Sequence, residues 1–135
     1  MIEYRATTDG ITAAHLAGFF EGWPDPPSPD THLRILHGSS EVVVAWSGDR
    51  VVGFIPAIAD GALAAYVPLL EVLPAYRGRG IGRELVGRMV DRLDGYYMID
   101  LVCDDDVVPF YEAIGWKRIA GMALRNHDRQ SGRPL

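Results

Sequence analysis

The densest group of residues able to do chemistry is Val72-Leu73-Pro74-Ala75-Tyr76-Arg77-Gly78-Arg79-Gly80-Ile81-Gly82-Arg83-Glu84-Leu85. An extended run ends there, three alternating glycines follow, and an amphipathic pattern begins. Glycines let a backbone come close to a ligand. A helix N-terminus adds unpaired N–H groups and the positive end of its dipole. Between positions 76 and 92 five arginines stand against Glu84 and Asp91, a local balance of +3 in a chain of net charge -5. The chemistry this suits is binding of a phosphate-bearing ligand. Neither of two other phosphate loops fits as well. No Lys-Ser or Lys-Thr follows the glycines, which excludes GxxxxGK[ST]. GxGxxG is nearly matched, and Asp100 lies about twenty residues on, where a ribose-binding acid would sit. Against it, Arg83 replaces the third glycine, Pro74 to Tyr76 separate strand from turn, and the motif is not in the first βα unit.

The elements that must hold this turn follow from hydrophobic period and punctuation. Ile2 to Ala6 reads as a strand. Thr8 or Asp9 caps a predicted helix carrying Ile11, Leu16, Phe19 and Phe20, which stops before Trp23-Pro24. Pro24, Pro26, Pro27 and Pro29 make a stiff loop. Ser28-Pro29-Asp30 then starts a short helix with Leu33, Ile35 and Leu36 inward and Gly38 closing it. Glu41 to Trp46 and Val51 to Ile58 form a hairpin through Ser47-Gly48-Asp49-Arg50, and Leu63 to Leu73 is a further strand after Asp60-Gly61. Arg79 or Gly80 to Leu93 is the longest helical pattern, with Ile81, Leu85, Met89 and Leu93 in one row. Tyr96 to Cys103 reads as a buried strand, Val107 to Ala113 as a short helix, Trp116 to Leu124 as a last strand, and 126–135 as a loose polar tail. The order β-α-α-β-β-β-α-β-α-β predicts an α/β (mixed α+β) sheet protein, with residues 1–135 as one domain.

Arg77-Gly78-Arg79-Gly80-Ile81-Gly82, preceded by Val72-Leu73-Pro74, resembles the Q/R-x-x-G-x-G/A signature of the GCN5-related N-acetyltransferases (GNAT). Phe110-Tyr111-Glu112-Ala113-Ile114-Gly115-Trp116 is similar to that family's F-Y-x-x-x-G-F segment, with Trp for the last Phe. The resemblance implies the GNAT fold, acetyl-CoA as co-substrate, and direct acetyl transfer to an amine in a ternary complex. It implies that main-chain N–H groups of Arg77, Gly78, Arg79, Gly80, Ile81, Gly82 and Arg83 hold the pyrophosphate. Leu70 and Val72 would hold the pantetheine, with the Leu70 N–H as oxyanion donor. Pro68 agrees independently, because a proline cannot donate to a ladder and marks an edge or a bulge. Tyr111 matches the tyrosine placed near the thioester sulfur. A phenol of pKa ~10 protonating a thiolate whose acid is ~8.5 is uphill by roughly 2 kcal/mol, so hydrogen bonding alone is a competing role.

An alkylamine of pKa ~10 is neutral at pH 7 about one part in a thousand, worth roughly 4 kcal/mol, so a base is chemically motivated. Glu71 is the acid nearest the thioester strand and is the expected base, although strand alternation turns it to the face opposite Leu70 and Val72. Tyr66 lies closer to where some family members place a base, Glu21 and the histidines border the expected acceptor cleft, and Trp23, His32 and Tyr66 are expected to shape its specificity. Asp104 stands where relatives often carry Asn; ionised, it accepts but cannot donate, and the acidic run it opens suits a helix N-terminus. Glu84 and Arg88 read as a solvated ion-pair face extended by Arg92.

Composition narrows the classes. At 135 residues, 48% hydrophobic and 23% charged, the chain can build a core without staples. The single cysteine, Cys103, excludes an internal disulfide framework and reads as a small apolar residue. His15, His32, His37 and His127 show no metal spacing, so no metal is expected. No apolar run approaches the ~18 residues of a membrane span, and Met1-Ile2-Glu3-Tyr4-Arg5 does not open a signal peptide. A cytoplasmic protein is expected. The charge of -5 argues against nucleic acid, including a charged-tRNA acceptor, and against anionic membrane. It suits a cationic amine on a small molecule or a protein. Relatives often dimerise through late strands, which admits a homodimer. A non-catalytic acyl-CoA-binding sensor is the rival reading, and Tyr111 favours the enzyme.

Overall fold

The computed structural model describes residues 1–134. Its centre is the hairpin of β2 (Glu41–Ser47) and β3 (Arg50–Ala59), turned by Gly48-Asp49. Val42 to Trp46 and Val51 to Ala57 are buried as continuous runs. Covered on both faces, these strands do not alternate. β1 (Ile2–Arg5) flanks β2 antiparallel. On the other side β3 pairs antiparallel with both β4 (Ala64–Tyr66) and β5 (Glu71–Val72), and β4 pairs in parallel with β6 (Met98–Asp100). The expected mixed α/β sheet is present.

One face of the hairpin is covered by α2 (Ile81–Arg92) through Ile81, Leu85, Val86 and Met89, the row set by its helical period. Gly53 makes this approach close: a Cβ there would lie 3.1 Å from Leu85 and 3.3 Å from the Glu71 carbonyl oxygen. The other face carries α1 (Pro29–Gly38), started as expected by Ser28, whose Oγ accepts the Thr31 N–H at 3.2 Å, with Pro29 in its first turn. α3 (Val108–Glu112) follows a 3-10 turn at Asp105–Val107.

Four expected elements are shortened, broken or missing, and the tail also differs from expectation. The helix expected before Trp23 is only a 3-10 turn at Ala13–Leu16. Gly10 and Gly18, with φ of 79° and 91°, bracket it and leave too little chain for a longer helix. The strand expected over Leu63 to Leu73 is broken into β4 and β5. Pro68 lies in the gap, with no N–H to donate. The strand from Tyr96 to Cys103 keeps only Met98–Asp100. The last strand, Trp116 to Leu124, does not form: among the described residues 117–125 have no ladder partner, and Ile119, Met122 and Leu124 are exposed. The tail is docked and not loose. Gln130 accepts the Asp25 N–H at 2.8 Å, and Ser131 is buried. Leu135 lies outside the described residues.

Candidate active site

The glycine turn is built as a cradle. Gly78 and Gly80 have φ of 77° and 80°, which a side chain tolerates poorly. Gly80 is the residue before α2 and supplies no side-chain cap, so the N–H groups of the first turn stay open to an outside acceptor. A Cβ on Gly82 would stand 3.7 Å from the Phe110 ring and 3.9 Å from Val72, so α2, β5 and α3 meet at this residue.

The charge of the turn is smaller than the local sequence count. Arg77 pairs with Glu21 at 2.8 Å, Arg88 with Glu84 at 2.9 Å, and Arg92 with Glu41 at 2.8 Å. The Glu84–Arg88 pair is the one expected, whereas Arg92 leaves the helix face for β2. Arg79 leans on the Tyr76 ring and donates to the Ala75 carbonyl. Among the described residues Arg83 has no ion-pair partner. It opens onto a cavity of about 300 Å³ lined also by Val86, Val90 and Trp116.

Beyond the turn the sheet parts. β4 runs with β6, and the Val67 N–H still reaches the Asp100 carbonyl at 2.9 Å. β5 then returns to β3 through Gly53–Val72 and Phe54–Glu71. Between these pairings the N–H groups of Leu69 and Leu70 find no backbone acceptor among the described residues. Free donors beside a break and a helix N-terminus without a side-chain cap fit a ligand with a carbonyl at one end and phosphates further along.

The expected chemical residues divide into two groups. Tyr111 and Tyr66 line one cavity of about 470 Å³ with Cys103, beside β6. Burial, reinforced by Cys103, pushes the Tyr111 hydroxyl up to about 12. Cys103 is half-buried at the cavity wall and not a core residue. The second group lies on the opposite side of β5. Glu71 faces the loop after Gly18, and its carboxylate accepts N–H bonds from Phe20 at 2.8 Å and Glu21 at 3.3 Å. Both oxygens of the expected base are therefore engaged. Trp23 packs edge-on against Phe20 (centroids 5.0 Å apart) and remains partly exposed. His32 is buried among Phe19, Phe20 and Phe54. Asp104 precedes the turn into α3 but makes no side-chain cap; Asp105 instead binds Arg118 at 3.0 Å. Glu21 and Arg77 as a pair were not visible in sequence, because 56 positions separate an exposed acid from a basic turn.

Residues 8–116 match the acetyltransferase (GNAT) family. The chain is 50% identical to a candidate acetyltransferase from Deinococcus radiodurans R1 of known crystal structure. The likeness covers 99% of this chain and 94% of that one, with a TM-score of 0.96. A GNAT family acetyltransferase from Streptococcus pneumoniae TIGR4 shares 25% identity over 93% of this chain and 98% of its own, with a TM-score of 0.77. Among curated proteins, the chloroplastic serotonin N-acetyltransferase 2 of rice (Oryza sativa subsp. japonica) is 31% identical over 93% of this chain and 68% of its own length. The chain spans 30%, 49% and 30% of the length of three further curated relatives.

Proposed function

Because the chain belongs to the acetyltransferase (GNAT) family, we propose that it transfers the acetyl group of acetyl-CoA directly to an amine in a ternary complex. The observation that carries this reading is the meeting of three parts at Gly82: the N-terminus of α2 without a side-chain cap, β5 directly after the free N–H groups of Leu69 and Leu70, and the helix bearing Tyr111. The turn from Arg77 to Arg83 takes the pyrophosphate through main-chain N–H groups. Arg83 is its free counter-charge, while the Arg77 side chain is held by Glu21 and by the Val72 carbonyl. Leu70 and Val72 align the pantetheine, and the Leu70 N–H stabilises the carbonyl oxygen as charge develops there.

In the reaction the amine lone pair forms a C–N bond to the carbonyl carbon, and the C–S bond breaks. The amine proton leaves to a base that releases it to solvent, and the thiolate takes a proton from solvent to give free CoA. With its hydroxyl near 12, Tyr111 would donate a full proton to a thiolate of ~8.5 at a cost of about 5 kcal/mol, so its part is a hydrogen bond to the departing sulfur. Glu71, with two N–H groups on its carboxylate, positions the loop that carries Trp23 and does not collect the proton. Trp23, His32 and Tyr66 shape the acceptor side. The acidic chain favours a cationic amine on a small molecule or protein, with no nucleic-acid, membrane or metal partner. Among the described residues no helix is long and apolar enough to cross a membrane. We read the protein as cytoplasmic, with one domain over 1–135. The exposed, unpaired segment holding Ile119, Met122 and Leu124 supports a homodimer.

Titration calorimetry with acetyl-CoA, CoA and NADH on wild type and Gly80→Glu tests the reading. Heat with both CoA species that disappears in Gly80→Glu is expected, followed by thiol release with a panel of amines. Binding without thiol release from any amine would favour a sensor, and no CoA binding would refute the phosphate turn.

A further inference from the structure

The loop from Gly18 to Trp23 is fastened twice to one strand. Glu71 in β5 accepts the Phe20 and Glu21 N–H groups at 2.8 and 3.3 Å. The Glu21 carboxylate reaches Arg77 at 2.8 Å, and Arg77 Nε donates to the Val72 carbonyl at 2.9 Å, back in β5. Between the fastenings Phe20 holds φ at 62°, a left-handed conformation that a phenylalanine adopts only under constraint. Loss of a fastening lets this residue relax.

Beneath the loop lies His32, 1% exposed. Its ring sits 4.3 Å from Phe54, 5.0 Å from Phe20 and 5.3 Å from Phe19 between centroids. Among the described residues neither ring nitrogen has a hydrogen-bond partner. Buried polar groups are nearly always paired, so an imidazole without one calls for a role. Its position supplies one. Phe54 stands opposite Glu71 in the β3–β5 ladder, so His32 lies over the face of the sheet from which Glu71 reaches the loop. The strained residue, Phe20, is one of its covers.

Arg77 links the two halves. It is both the partner of Glu21 and the first residue of the phosphate turn, and its side chain is 50% exposed. A pyrophosphate entering the turn carries more charge than one carboxylate and offers the guanidinium a fork of oxygens, so it competes for Arg77. We propose that the Glu21–Arg77 pair is a latch, opened by the donor's phosphates, that uncovers His32 to the acceptor amine only when acetyl-CoA is in place. This rests on the reading that the turn binds the donor. Glu21 is then a positioning residue. His32, once uncovered, accepts the amine proton as the C–N bond forms, and later releases it to solvent.

The test is carbethoxylation by diethyl pyrocarbonate, mapped by mass spectrometry, with the exposed His37 and His127 as internal references. Desulfo-CoA serves as the donor probe because it lacks a thiol that would consume the reagent. His32 should be unreactive in the free protein and several-fold faster with saturating desulfo-CoA. In Glu21→Gln it should react fast without ligand and gain nothing from it. High salt, which screens an exposed pair, should mimic the variant in wild type. Calorimetric binding of desulfo-CoA with His32 still protected overturns the latch and leaves the donor reading intact. No binding refutes the donor reading, and the latch loses its trigger. A Glu21→Gln protein as unreactive as wild type also overturns the latch.

Discussion

Replacing His32 by leucine should make the protein less sensitive to mild acid. Burial pushes the imidazole down to about 4 from an ordinary value of 6.5. A base with a lowered pKa binds its proton more readily in the unfolded chain. Stability therefore rises with pH across the window from about 4 to 6.5 and is flat above it. Between pH 7 and pH 5 the unfolded imidazole becomes almost fully protonated while the native one stays neutral, a loss of about 2 kcal/mol that approaches 3 kcal/mol near pH 4. A leucine side chain has no proton to bind and leaves no ring nitrogen unpaired, so at pH 7 His32→Leu should be close to wild type in stability. Urea unfolding at pH 7 and pH 5 measures the difference. With a slope of about 1–3 kcal/mol per molar, wild type should lose roughly 1 M more of its midpoint than His32→Leu. Changes at other carboxylates and histidines occur in both proteins and cancel in the comparison. Equal losses would refute a neutral imidazole sealed under the loop.

Tyr111→Phe should lower turnover by tenfold or more, by order of magnitude, with acetyl-CoA affinity unchanged by calorimetry. An unchanged rate would leave Tyr111 as packing beside Phe110 and Trp116. Glu71→Gln keeps one acceptor oxygen but turns an NH2 towards the second N–H, so a loss of about 1–2 kcal/mol and faster amide exchange at Phe20 are expected. Its pH–rate profile should match wild type; loss of the acidic limb would return Glu71 to the role of base. Met122→Asp should shift the protein to the monomer in light scattering, and a monomeric wild type would refute the homodimer.

What was legible in sequence was whatever is local. The phosphate turn declares itself because its glycines, its helix row and its preceding strand lie within fourteen residues. Ser28-Pro29 fixed the start of α1 for the same reason. Period misled where short-range geometry outvoted it: Ile11, Leu16, Phe19 and Phe20 are all buried as a helix would bury them, yet turns at Gly10 and Gly18 bring them there. The segment after Trp116 has strand composition but no ladder partner among the described residues, and pairing is not a property of one segment. Long-range partners were invisible. Nothing in the neighbourhood of Arg77 reveals Glu21, and nothing around His32 shows that its nitrogens lack partners, because both facts arise when the loop folds back on β5.

The central step from sequence to site is the loss of a single donor. A strand from Leu63 to Leu73 without interruption would pair along β3 and leave no opening. Pro68 has no N–H, and the ladder on β3 skips from the Ile58–Tyr66 pair to Phe54–Glu71. One residue more on the outer strand than on β3 is the count of a bulge. The part before the break lies between β3 and β6, whereas the part after it pairs with β3 alone, so β6 and the outer strand part at the break. That parting strands the N–H groups of Leu69 and Leu70, a cost that a folded protein tolerates only where water or a ligand can meet it. It also turns Glu71 towards the loop over His32, while Val72 faces the N-terminus of α2. One imino residue thus separates donor side from acceptor side. Restoring the N–H with Pro68→Ala should favour a continuous ladder, protect the Leu69 and Leu70 amides from exchange, and weaken acetyl-CoA binding. Amides that exchange as fast as in wild type would show that the break is held by β6 and α2 and not by the proline.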